Sequence, residues 1–210
     1  NLDKGTSGAC PIDRFDATLF KTRFACQIKD YDPARFGIDR KESRKLDKFT
    51  EFALIAADQA IRDSKLDLDS IDKSRVGVIL GSGIGGIETL CNELGDYFVG
   101  DGTPRFGPFN IVKIITNIAP GWISLKYGFT GPGYVTSSAC ASSSHAIMDA
   151  FNMIRLGKAD IVISGGAEAP ISATSSSLLY ASLPKKAGLV RRFSLEAWPV
   201  LWVSSWKAVL

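Results

Sequence analysis

The sequence predicts an α/β layered fold. Three observations carry that prediction. Residues 76–80 (VGVIL) and Ile161–Gly166 (IVISGG) are short apolar runs of the kind that form buried parallel strands. An amphipathic helix precedes the first run, and a second helix leads directly into the other. Helices alternating with such strands are the pattern of a parallel sheet covered by helices.

The elements follow in order. Residues 1–40 are irregular, with Pro11, Pro33 and a short extended piece over residues 21–28. In the next segment Leu46, Phe49, Ala53, Ala56, Ala57, Ala60 and Ile61 recur at helical spacing and make one apolar face. A polar stretch (SKLDLDSIDKSR) ends that helix before the first strand. After a glycine-rich turn, IETLCNEL predicts a short helix, and residues 100–110 read as a surface excursion rich in Gly and Pro. Residues 111–127 predict a helix interrupted near Pro120. GFTGPG is a turn and YVTSSA an extended segment. The following helix is expected to bury Ala146, Ile147, Ala150, Phe151 and Ile154, with Gly157 as its cap.

Residues 1–172 form the patterned body, and residues 173–210 are a tail of another kind. The tail has no Asp, and it holds three of the four tryptophans, Trp198, Trp202 and Trp206, at a spacing that suits one helix face. The formal net charge is +3, but five of the 25 Lys and Arg lie in the tail against one of the 22 Asp and Glu. The body is therefore close to neutral. Without a basic stripe interleaved with aromatics, nucleic-acid binding is not expected. Every apolar run is broken well before about 18 residues, so no membrane span is expected either. Cys10, Cys26, Cys91 and Cys140 are scattered, with one histidine in the whole chain. Neither a zinc site nor a disulfide framework is expected, and the reading is a reducing, cytoplasmic compartment.

Two segments carry chemistry. Gly81, Gly83 and Gly86 in LGSGIGGIETL match the spacing of a dinucleotide fingerprint between strand and helix, with Asp101 about 20 residues on. The short helix expected after them would make the crossover too tight, so the glycines are read as permitting tight turning and close packing. No cofactor is expected. The second segment is SSACASSSHAIMDAF, which sets Cys140 among small residues at the mouth of a helix. Unsatisfied N–H groups at a helix N-terminus favour a thiolate, and small neighbours let a substrate reach it. The alternative at this point is a buried, unreactive cysteine.

VTSSACASSSHAI, followed by NMIRLGKADIVISGGAEAP, resembles the active-site region of the beta-ketoacyl-acyl carrier protein synthases, in particular the elongating type II enzymes. The likeness runs backward through ITNIAPGWISLKYGFTGPG, VGVILGSGIGGIETL, RKLDKFTEFALIAADQAI and PIDRFDATLFKTRFACQIKDY, covering residues 5–172 with the motifs in order. The resemblance implies a thiolase-like α-β-α fold, of which this chain is the first half without its opening strand. It implies that Cys140 is the nucleophile that takes an acyl group from an acyl carrier protein, and that its backbone N–H is an oxyanion donor. It further implies that Ile84 lines the acyl pocket, that Ile111 reaches the pocket of a dimer mate, and that YVTSSA pairs across a homodimer. His145 lies five residues past Cys140, more than a helical turn away, and is not expected to act as a base. Glu168 matches a recurrent acid of the family with a structural role. The family's two histidines and lysine for decarboxylation belong to a second half, so this chain alone is expected to be inactive in condensation. A non-catalytic ketosynthase partner, analogous to a chain-length factor, and a binding protein are the alternative readings. Retention of Cys140 counts against the first.

Overall fold

The computed structural model describes residues 2–173; the rest of the tail, with its three tryptophans, lies outside the described residues. Among these, residues 2–32 and 170–173 belong to one compact unit, and residues 33–169 belong to a second. In the first unit, β1 (Ala9–Pro11) and β2 (Phe24–Cys26) pair antiparallel, with Cys10 opposite Ala25 and Cys26 opposite Ala9. The two cysteines are thus on opposite faces of the ribbon, and both are free thiols.

The second unit contains α1 (Arg40–Ser43), α2 (Lys48–Ser64), β3 (Val76–Gly81), α3 (Ile87–Val99), α4 (Asn110–Ile114), α5 (Ile118–Tyr127), β4 (Gly133–Thr136), α6 (Ser142–Arg155) and β5 (Ile161–Gly166). The three strands form a parallel sheet in the order β4-β3-β5. Successive residues of β3 point to opposite faces, which defines the layers. A Cβ on Gly81 would strike the first turn of α6, whereas Leu80 lies beside Ala53, Ala56 and Ala57 of α2. The sheet is therefore sandwiched between α2 and α6, with α5 packed on both α2 and β3. All six residues of β3 are buried, as expected of a central parallel strand. β5 is only half-buried, in contrast to the expectation of a fully buried strand. It lies at the edge of the described sheet, where one flank has no neighbouring strand to cover it.

The α2 helix agrees with the apolar pattern. Leu46, Phe49, Ala53, Ala56, Ala57 and Ile61 are all buried, and Asp47 caps the N-terminus by accepting from the Phe49 N–H at 3.2 Å. Two other expectations are corrected. The break between residues 111 and 127 falls at residues 115–117, not at Pro120. Pro120 is the third residue of α5, where the missing N–H would have had no intrahelical partner. The α6 helix buries Ala146 (0 % exposed) and Ala150 (7 %), but Ile147 (39 %) and Phe151 (54 %) face outward. Small residues line the sheet-facing side, Ser142, Ala146 and Ala150 at intervals of four, because the backbones of β3, β5 and α6 approach too closely for larger ones. The expected C-terminal cap is present: Gly157 has φ +65°, and its N–H donates to the Ile154 carbonyl at 2.9 Å.

Candidate active site

The C-terminal ends of all three strands converge on one place. β3 runs into the glycine loop 82–86, β4 into the turn that carries Cys140, and β5 into Ala167 and Glu168. Gly81 and Gly166 are opposite each other in the sheet register, and a Cβ on either would collide with Ser142 or Ser143. Glycine at both positions is what lets the N-terminus of α6 sit directly on the strand ends.

Cys140 occupies a single 3₁₀ turn, Ala139–Ala141, immediately before α6. Its side chain is exposed and its thiol free. The residue before it, Ala139, has φ +49°, the left-handed region that a non-glycine residue adopts at a cost of about 1–2 kcal/mol. Ser142, 4 % exposed, holds that conformation. Its hydroxyl donates to the Ala139 carbonyl at 2.7 Å and accepts from the Ser138 N–H at 2.9 Å. Thr136 adds a third tie, donating from its hydroxyl to the Ser142 carbonyl at 2.8 Å. In the sequence alone Ser142 is only a small neighbour of the cysteine. The usable signal was a hydroxyl in the first turn of a helix whose preceding residues have no glycine to make the turn.

His145 Nδ1 lies 2.7 Å from the Ser138 hydroxyl, within the same turn.

The glycine loop holds an anion, and the anion comes from the protein itself. Glu168 Oε2 accepts from the N–H groups of Gly83 (2.6 Å) and Ile84 (3.0 Å), and Oε1 from that of Gly85 (3.0 Å). Three consecutive amides around a carboxylate form a backbone nest of the kind that elsewhere binds phosphate. Helix α3 spans 13 residues, longer than the sequence pattern suggested, so crossover length is no argument against a dinucleotide. The Glu168 carboxylate is the better one, because it fills the cradle. Burial pushes the Glu168 carboxyl above its ordinary range, the three amide bonds oppose that rise, and the nearby Asp47 carboxylate adds to it.

Ile84 is thus on a loop beside the cysteine turn: the Ser137 hydroxyl donates to the Gly83 carbonyl at 3.3 Å, and a Cβ on Gly83 would lie 3.9 Å from Ala139 Cα. The Gly86 N–H donates to the Ile114 carbonyl at 3.1 Å, which ties the loop to α4. Ile111 is exposed one turn earlier on α4, so its link to the cysteine turn is indirect. No group of three His, Cys, Asp or Glu is placed to hold a metal ion among the described residues, and none of their helices is long and apolar enough to cross a membrane.

A parallel sheet with a cysteine turn at the N-terminus of a sheet-packed helix is the architecture of the thiolase-like α/β proteins. The family model "Beta-ketoacyl synthase, N-terminal domain" matches residues 2–183, and the chain belongs to that family. It is 40 % identical over 174 residues to 3-oxoacyl-[acyl-carrier-protein] synthase 2 of Synechocystis sp., an alignment covering 83 % of this chain and 41 % of the relative. Among solved structures, a beta-ketoacyl synthase from Burkholderia phymatum superposes with a TM-score of 0.72 at 27 % identity, over 86 % of this chain and 44 % of that one. A type II polyketide ketosynthase, solved with its acyl-carrier protein and a hexaketide, gives 0.68 at 28 % identity over 74 % and 44 %. The chain spans less than half the length of each.

Proposed function

We propose that this chain supplies the acyl-accepting half of a 3-oxoacyl-acyl carrier protein synthase, with Cys140 as the nucleophile. The observation that carries this reading is the exposed thiol in a strained turn at the head of α6. In the first step the Cys140 thiolate attacks the carbonyl of an acyl thioester on the carrier protein. The tetrahedral oxyanion forms beside the Cys140 N–H, and its collapse expels the carrier thiolate, which takes up a proton from water, and leaves an acyl-cysteine. In the second, malonyl-carrier protein loses carbon dioxide, and the resulting carbanion attacks the acyl-cysteine. A carbon–carbon bond forms as the sulfur leaves.

These 210 residues are assigned the first step alone. Their single histidine, His145, is engaged with Ser138, and no second imidazole is present to stabilise an enolate. Ile84 and Ile111 are assigned to the acyl pocket, Ile111 in a dimer mate. The carrier protein as partner is supported by the solved ketosynthase complex named above. A homodimer through β4 is supported by the place of that strand at one edge of the described sheet.

The test is intact mass after incubation with an acyl-carrier thioester. A mass gain of one acyl group in the wild type and none in Cys140→Ala is expected. A folded wild-type chain with no adduct would overturn the assignment.

A further inference from the structure

We infer that Glu168 is a positioning residue for acyl-chain selectivity, fixing the loop of Ile84 against the cysteine turn through its carboxylate. The inference rests on the reading that Cys140 takes an acyl group and Ile84 lines its pocket. The geometry begins in the sheet. Gly81 and Gly166 are in register, and the Ala167 N–H donates to the Gly81 carbonyl at 3.1 Å, so the chain stays paired to the end of β3 for one residue past β5. That extension places Glu168 across from the glycine loop. Its two oxygens then take three successive amides, at 2.6, 3.0 and 3.0 Å.

Nothing softer would hold this loop. Gly85 has φ +70°, and a Cβ there would come within 2.8 Å of the Ile114 carbonyl oxygen. Gly83, Ile84 and Gly85 all aim their N–H groups inward, and a cluster of inward amides needs an acceptor with several lone pairs. The same loop touches the cysteine turn through the Ser137 hydroxyl and the Gly83 carbonyl. Movement of the carboxylate would therefore shift Ile84 relative to Cys140 without changing the thiol. The other carboxylate near this site, Asp47, is already committed, accepting from the Thr89 hydroxyl at 2.6 Å and from the Thr89 N–H at 3.3 Å.

Glu168→Gln keeps the size of the side chain. Its one carbonyl oxygen can hold Gly83 and Ile84, but its NH₂ group then faces the Gly85 N–H, donor against donor. The experiment compares Cys140 acylation rates of the full 210-residue chain with a short-chain and a long-chain acyl-carrier thioester, alongside alkylation by iodoacetamide. In Glu168→Gln the ratio of the two acylation rates should change by about tenfold, the scale expected of one misplaced buried polar contact, with alkylation within about twofold. A merely structural role would lower all three rates together. Amide hydrogen exchange in the wild type gives a reading independent of the variant: Gly83, Ile84 and Gly85 should exchange at least about 100-fold more slowly than free peptide. Unprotected amides, a wild type that does not discriminate, or an unchanged ratio in a folded variant would each overturn this inference alone. Absence of any acylation of the wild type would overturn the functional reading and the selectivity claim with it.

Discussion

The two loops at the head of the sheet solve the same problem in opposite ways. The loop after β3 makes its left-handed residue with a glycine, Gly85, and is held from outside by a carboxylate two residues past β5. The turn after β4 makes its left-handed residue with an alanine, Ala139, and is held from within by Ser142 two residues past the cysteine. The first loop is relaxed and its anchor costly, since burial of the Glu168 carboxyl disfavours its charged form. The second is strained and its anchor cheap, a neutral hydroxyl satisfied at both ends. The difference follows what each loop does: one orients an apolar side chain, the other presents a reactive sulfur.

The comparison can be broken most severely at its shared foundation. Gly81→Ala would drive a Cβ into the backbone of Ser142 and Ser143, and should cost about 3 kcal/mol or more, read by thermal unfolding. A small loss would mean that the head of α6 can lift off the sheet.

Ser142→Ala tests the inner anchor. It leaves the Ser138 N–H and the Ala139 carbonyl without their partner, and should cost about 1–3 kcal/mol while slowing Cys140 acylation beyond any effect on global unfolding. Equal acylation in a folded variant would show that the turn holds itself.

The outer anchor has a pH signature. Because burial raises the folded carboxyl of Glu168 above its unfolded value near 4.5, the native state binds more protons than the unfolded state between the two values. Its contribution to stability is fully present below the unfolded value and is lost as pH rises through the folded one. The stability of wild type relative to Glu168→Gln should therefore fall in denaturant titrations as pH is raised above the unfolded value. An opposite slope would mean that the three amide bonds outweigh burial.

The smallest effect is expected at Ala139. Replacing it by glycine relieves the left-handed strain but adds freedom to the unfolded chain, so Ala139→Gly should change stability by less than about 1 kcal/mol in either direction. Its acylation rate is the sharper readout, since strain without function should leave that rate unchanged.

The sequence by itself determined the layered α/β fold, because short apolar strand runs and the 3.6-residue period at Leu46–Ile61 are local patterns. It also singled out the position of Cys140 at a helix head, through the change from extended to helical patterning around it. Only the tertiary structure decided which face of α6 is inside. Hydrophobic periodicity points to Ile147 and Phe151, but the nearness of three backbones at Gly81, Gly166 and Ser142 admits only small side chains there. Only the tertiary structure, likewise, decided what the glycine loop binds. A glycine spacing shows that amides can be gathered into a cradle, and the acceptor that fills it arrives from Glu168, more than 80 residues away in sequence, because parallel pairing of β3 and β5 brings their ends together.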